Sequence, residues 1–284
     1  MDIQLLETFL VVCEEANLSR AAVRLFRTQP AVSRQIQTLE AQLGVRLLER
    51  TPRGVRPTAQ GDELRSRSAR ILAELRSLEH LGAEAEGPGG ELLLACSDTV
   101  ACHFLAPFLG RFSRDCPNAR IRITSGVTPS IVNHVERGTC ELGIVLLPLR
   151  NPRLELARVL TYHHVAGFKG GTRPAGPAIT LEALCTGPLV LLNRESATRR
   201  AFDEAVAVQG LHPGPVLEVG SVAVQKAMVK AGLGAGILPG YALDPADGLD
   251  HLPIQGSHEK ALALCWLKAR SLSPAAAHFA GMFR

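Results

Sequence analysis

Apolar positions in the first sixty residues recur at helical spacing and are broken by polar capping residues. Leu5, Leu6, Phe9, Leu10 and Cys13 line one face of a first helix. Asn17 and Ser19 are break and cap signals, and Ser19 opens a short second helix carrying Ala21, Ala22 and Leu25. Phe26 and Arg27 turn the chain into a third helix, in which Val32, Ile36, Leu39 and Leu43 recur at spacings of 4, 3 and 4. Thr28 is its N-cap, Pro30 sits in the first turn, and Gly44 follows as the C′ residue. Gln29, Ser33, Arg34 and Gln37 fall off the stripe and face outward. Leu47 and Leu48 then anchor a short strand, Pro52–Arg53–Gly54 turns, and Val55 starts the return strand. Thr58 caps a long helix over about 59–85. In it Leu64, Ile71 and Leu78 repeat every seven residues, with Ser68 and Leu75 on the alternate seam and Leu72 and Leu81 beside it. This heptad pattern predicts a dimerising helix, with Leu64, Ile71, Leu75 and Leu78 as its contacts.

EGPGGE at 86–91 is a Gly/Pro hinge, and beyond it strands and helices alternate. Strands are expected at Leu92–Cys96, Arg120–Thr124 and Leu142–Leu147, then near 189–192, 215–219, 235–238 and 261–267. Helices are expected over His103–Arg114 and Pro129–Arg137, then near 198–209, 221–231 and 274–283. Such alternation predicts an α/β region of parallel sheets flanked by helices.

Composition narrows the class. With 46% apolar and 20% charged residues the chain is globular. It has no apolar run of 18 residues, so no membrane contact is expected. The start, MDIQLLETFLVVCEE, lacks the basic n-region of a signal peptide, which points to a cytoplasmic protein. Seven scattered cysteines without a CxxC predict reduced thiols. The net charge of +4 is unevenly spread: Leu18–Arg70 holds eleven Arg against Glu40, Glu49, Asp62 and Glu63, and no Lys occurs before Lys169. Clustered Arg beside an outward polar helix face with no acid between Thr28 and Gln37 is the footprint of a nucleic-acid reader.

The run ANLSRAAVRLFRTQPAVSRQIQTLEAQLGVRLLERTPRGVRPTAQG, Ala16–Gly61, resembles the winged helix-turn-helix of LysR-type transcriptional regulators. Its marks are ANLSRAA, QPAVSRQI, LE, LG, LLER and TAQG, and the length and domain order of the whole chain fit as well. The resemblance implies a sequence-specific regulator with three parts. These are an N-terminal winged helix-turn-helix over 1–58, a dimerising linker helix over 59–86, and a periplasmic-binding-protein-like two-lobed α/β effector domain over 87–284. Lobe I would be about 91–161 plus 268–284, and lobe II about 162–267. It also implies a homodimer or homotetramer, a double-stranded DNA operator and a small-molecule effector of unknown identity. On the DNA side, Gln29, Pro30, Ser33, Arg34 and Gln37 are expected near bases and backbone, with Arg50 and Arg53 on the wing and Ser19 and Thr28 at helix starts holding phosphates. One family feature departs: the usual Gly-x-x-Asp reads Gly138–Thr139–Cys140–Glu141 here.

Ligands of open α/β sheets bind beyond the carboxyl ends of strands. That rule selects Ser97, Asp98, Thr99, Thr128 and Leu147 in the first lobe, and Asn193, Arg194, Ser196, Ser221 and Pro239 in the second. Ser97, Thr128 and Arg194 suit a carboxylate; Asp98 repels one unless it turns away, and otherwise suits an amine. Thiol sensing is the rival within the family, but Cys185 and Cys265 have no basic sequence neighbour to lower their pKa. A metal at His163–His164 or Cys102–His103 lacks a second ligand pair, so none is expected. A small-molecule-processing enzyme is the rival from another class. No Gly-x-Ser-x-Gly, phosphate loop or paired carboxylates support it, and no cofactor or catalytic residue is assigned.

Overall fold

The computed structural model describes residues 2–52, 54–79 and 90–283, without the side chains of residues 66, 69, 70, 73, 74 and 76–79. Arg53, the Leu78 side chain, the expected helix beyond 79 and all of the hinge except Gly90 and Glu91 lie outside the described residues.

The N-terminal region comprises α1 (Ile3–Glu15), α2 (Leu18–Arg24), α3 (Gln29–Leu43), the hairpin β1 (Leu48–Thr51) and β2 (Gly54–Pro57), and α4 (Ala59–Glu79). Asn17, not Ser19, caps α2: its Oδ1 accepts from the Ser19 and Arg20 amides at 2.9 and 3.1 Å. An Asn side chain reaches the N2 and N3 amides from the residue before the helix, so Ser19 falls inside the first turn. Leu6, Phe9, Val12, Ala21, Val32, Leu39 and Leu47 form the centre of this region's core. Leu43, the last member of the α3 stripe, is 38% exposed. On α4 the heptad seam divides. Ser68 and Leu72 are buried and Leu64 packs partly against the N-terminal core, whereas Ile71 is 42% exposed.

The C-terminal region begins with β3 (Gly90–Cys96), α5 (Asp98–Val100), a π-helical turn (Ala101–Leu105) and α6 (Ala106–Asp115). It continues through β4 (Ala119–Ser125), α7 (Thr128–Glu136), β5 (Leu142–Leu147), β6 (Leu154–Tyr162), β7 (His164–Lys169), α8 (Leu181–Cys185) and β8 (Leu189–Leu192). Then follow α9 (Ala197–Val208), β9 (Val216–Val219), α10 (Val222–Lys230), β10 (Ala235–Pro239), two 3-10 turns (Gly240–Ala242 and Pro245–Asp247), β11 (Leu249–Pro253), β12 (Lys260–Leu267) and α11 (Pro274–Gly281).

These strands build two five-stranded sheets, ordered β4-β3-β5-β12-β6 and β11-β7-β10-β8-β9. Each has three strands paired in parallel, as alternation predicts, and two more joined by antiparallel pairing, which it does not; only β12 and β7 run against the other strands of their sheets. The helix also starts earlier than the expected His103, at Asp98 behind the Ser97 cap. The lobe boundary is corrected too. Residues 261–267 were expected in lobe II, but β12 pairs with β5 and β6 and so belongs to the first sheet. The chain crosses between sheets at His163 and returns through 254–259. His163 Nδ1 lies 3.3 Å from the Ser257 carbonyl oxygen, linking the two crossings. Glu141 has a structural use: its carboxylate accepts from the Ser273 amide at 3.1 Å and hydroxyl at 2.7 Å, while Ser273 caps α11.

Candidate nucleic-acid interface and effector cleft

Local geometry presents α3 outward. Thr28 Oγ1 accepts from the Ala31 amide at 3.4 Å, Pro30 occupies the first turn, and Gly44 ends the helix at φ +69°. Val32, Ile36 and Leu39 turn into the core, leaving Gln29, Pro30, Arg34 and Gln37 exposed and Ser33 half-buried. Gln35 turns inward instead, accepting from Thr8 Oγ1 at 3.1 Å.

The wing is fastened to this helix by Glu40, which the sequence showed as an acid and as part of the LE mark but not as a tether. Glu40 Oε1 accepts from the Leu47 and Leu48 amides at 2.7 and 3.2 Å, coupling α3 to the base of β1. Thr58 joins the far end, donating to the Arg46 carbonyl at 2.8 Å and accepting from the Gly61 amide at 3.0 Å.

The Arg cluster is not uniformly available to phosphates. Arg20 and Arg24 pair with Glu14 and Glu15, and Arg56 pairs with Glu49 across the hairpin. Arg34, Arg46 and Arg50 are exposed and form no ion pair among the described residues.

In the C-terminal region the selected effector residues gather at the carboxyl ends of the parallel strands, but most are already engaged. Ser97 and Ser221 cap α5 and α10 through the Val100 and Val224 amides, both at 3.3 Å. Asp98 accepts from Ser125 Oγ at the ends of the paired strands β3 and β4. Thr128 Oγ1 accepts from the Leu146 amide at 3.2 Å, tying α7 to the end of β5 beside Leu147. Thr99 is half-buried in α5. The Asn193 carbonyl accepts from the Ser196 amide at 3.0 Å, Arg194 is exposed, and Pro239 is buried opposite His164. Arg199 braces this loop from behind, bonding the Leu192 carbonyl at 3.0 Å, Glu218 at 3.1 Å and Asp203 at 2.8 Å.

Sequence reasoning missed the groups at the crossing itself. His164 is buried with Nε2 3.1 Å from Thr198 Oγ1, and burial, helped by Lys260 and His163, lowers its pKa to about 4. Tyr162 meets Tyr241 edge-on at 4.8 Å, and Tyr241 packs against buried clusters of both lobes. Lys226 holds the Tyr241 turn, with Nζ 2.7 Å from both the Ala242 carbonyl and Asp247. The His163–His164 pair was the visible signal, weighed only as a metal site. Among the described residues no His/Cys/Asp/Glu group is arranged to hold a metal. A cavity of about 250 Å³ opens instead beside Phe168, Lys169 and Pro188, at the amino ends of β8 and β10 and so away from the switch-point loops.

The buried thiols Cys96, Cys185 and Cys265 are poor nucleophiles. Burial raises the pKa of Cys185, and takes Cys96 and Cys265 to about 12.

Known proteins carry the same two-part plan. A sequence profile of the bacterial regulatory helix-turn-helix protein, lysR family, matches residues 3–62, and that of the LysR substrate binding domain matches 85–284. The chain is 31% identical over 275 residues to the uncharacterised HTH-type transcriptional regulator YfeR of Shigella flexneri, covering 95% of this chain and 89% of that one. It is 32% identical over 254 residues to the HTH-type transcriptional regulator ClcR of Pseudomonas putida, covering 84% and 83%. Full-length CbnR complexed with its target DNA is 27% identical at a TM-score of 0.70, with 100% and 99% coverage. A full-length OxyR variant from Pseudomonas aeruginosa shares the fold, with a TM-score of 0.75 at 20% identity and 99% and 92% coverage. With family profiles matched over residues 3–62 and 85–284, and curated regulators above 30% identity across most of the chain, the chain belongs to the LysR family of DNA-binding transcriptional regulators.

Proposed function

We propose that this regulator binds its operator as a homodimer or homotetramer, and that a small molecule held between the two lobes changes operator binding or activation. The observation that carries the DNA side is the exposed, acid-free face of α3, with Gln29, Pro30 and Arg34 projecting from a helix fastened to both core and wing. Inserted in the major groove, that face puts Gln29, Ser33, Arg34 and Gln37 at base edges, with Thr28 and Arg50 toward phosphates. Ile71 and Leu75 on α4 supply the dimer seam, because Ser68 and Leu72 are used by the chain's own packing. The protein acts in the cytoplasm by binding, not by catalysis.

On the effector side, Ser97, Thr128, Asn193, Arg194 and Ser196 follow the carboxyl ends of strands in the two lobes, and these are the groups proposed to hold the small molecule. Asp98 is occupied by Ser125, which lessens its repulsion of an anionic effector. An effector shifts the lobes only through differential affinity for their arrangements. The elevated thiol pKa values weigh against a peroxide-sensing alternative.

The test is a thermal-shift screen of the full-length protein against organic acids, amines and nucleotides, followed by operator binding with each hit. A true effector at about 100 times its Kd adds about 2.7 kcal/mol and raises Tm. Arg34→Ala should weaken operator binding by roughly 1–3 kcal/mol without changing the effector shift. A screen without hits would remove effector control, and an unchanged Arg34→Ala affinity would remove α3 as the reader.

A further inference from the structure

Phe26 stands in the turn between α2 and α3 under two penalties. Its ring is 97% exposed, and its backbone has φ +52°, a left-handed conformation that Gly or Asn adopts at lower cost than an aromatic residue. The turn itself requires that conformation. The Phe26 amide donates to the Val23 carbonyl at 3.1 Å and the Arg27 amide to the Ala22 carbonyl at 2.9 Å, ending α2 and redirecting the chain toward the Thr28 cap. The ring adds nothing to the N-terminal core, from which it is absent. Val23, three residues earlier, is 77% exposed as well. Neither side chain is repaid by folding, so what holds an aromatic here lies outside the chain.

The neighbourhood says what that is. Residues 26–31 are all exposed and run without interruption into Gln29 and Pro30 at the start of α3. No acid occurs from Ala16 to Leu39, and Glu14 and Glu15 behind the turn are paired with Arg20 and Arg24. In a helix-turn-helix the recognition helix enters the major groove by its N-terminal end while the preceding helix crosses the backbone, so the segment between them borders the groove. A phenyl ring offers phosphate no donor. The apolar group that the major groove does display is the thymine 5-methyl. We infer that Phe26 contacts a thymine methyl at the edge of each operator half-site, extending sequence reading beyond α3. The inference rests on α3 lying in the major groove.

The experiment uses full-length protein and a duplex recovered by its own selection from a random pool, with each thymine replaced in turn by deoxyuridine, which removes only the methyl. For the native protein, one position per half-site should lose about threefold to fivefold in affinity, the worth of one buried methyl. Phe26→Ala should bind the unmodified duplex more weakly by a similar factor and show no further loss with uridine there, whereas Phe26→Leu should keep part of the uridine effect. Phe26→Asn relieves the backbone conformation, so its Tm should be equal or higher while the uridine effect disappears, separating contact from folding. The same uridine profile in native and Phe26→Ala proteins would overturn the assignment, as would a uniform loss with no dependence on any methyl. Arg34→Ala, run in parallel, tells failure of this contact from failure of the groove placement: if it too binds normally, the reading of α3 falls and takes this inference with it.

Discussion

Replacing Gly54 by Ala should detach the wing. Gly54 sits at φ +140°, and a Cβ there would lie 2.2 Å from the Ala16 carbonyl oxygen. That oxygen also accepts from the Val55 amide at 2.9 Å, the bond that docks the hairpin on the α1–α2 corner. Both sides of the clash are backbone, so no side chain can swing away. The left-handed backbone costs an L-residue about 1–2 kcal/mol and the lost hydrogen bond about 1 kcal/mol, together about 2–3 kcal/mol against docking. Opening of the wing should therefore rise by about 30- to 150-fold. Trp266, the only tryptophan, lies on β12 in the first lobe, so its fluorescence does not report on the wing. Amide exchange at Val55 and across 48–57 does. Exchange within about twofold of native would refute this account of docking, since a 2–3 kcal/mol penalty predicts a far larger change. Operator affinity should fall with it, and because Arg50 rides on the wing, the salt dependence should become shallower by about one phosphate contact.

Glu141→Ala removes the acceptor of two Ser273 hydrogen bonds and should destabilise the first lobe by about 2–3 kcal/mol, seen as a lower urea midpoint by Trp266 fluorescence. Ile71→Asp places a charge on the exposed side of α4 and should yield monomers in sedimentation, whereas a full dimer would exclude that seam. His164 is held neutral in the fold, with a pKa near 4 against an ordinary 6.5. Its contribution is complete above pH 6.5 and lost as pH falls toward 4, up to about 3 kcal/mol. His164→Asn should flatten that part of the stability profile by one proton, and an unchanged slope would place the acid sensitivity elsewhere.

The N-terminal reader was legible in the sequence because its determinants are local. Caps at Thr28 and Gly44, the Val32–Ile36–Leu39 stripe and the Leu47–Val55 hairpin operate within a few residues, and each side chain's face follows from helical or strand periodicity. The errors there were small and local too, such as Ser19 for Asn17 as the α2 cap. Most of the alternating elements of the C-terminal region were visible too, but β6, β7, α8 and β11 were not expected, and the assembly of the elements was not legible at all. An apolar segment such as Lys260–Leu267 carries no mark of its partners, and only pairing with β5, more than a hundred residues earlier, and with β6 assigns it to the first sheet. The same holds for Glu40, whose carboxylate is spent on amides of the wing, and for Asp98, which meets Ser125 only because β3 and β4 lie side by side. His164, Thr198, Tyr162 and Tyr241 are brought together by the crossing between lobes, from three separate stretches of chain. Sequence by itself determines propensity, periodicity and capping, which are nearest-neighbour energies along the chain. Which polar groups are satisfied, which hydrophobics are left over for a partner, and which loops share a cleft are decided by long-range contacts that exist only once the chain is folded.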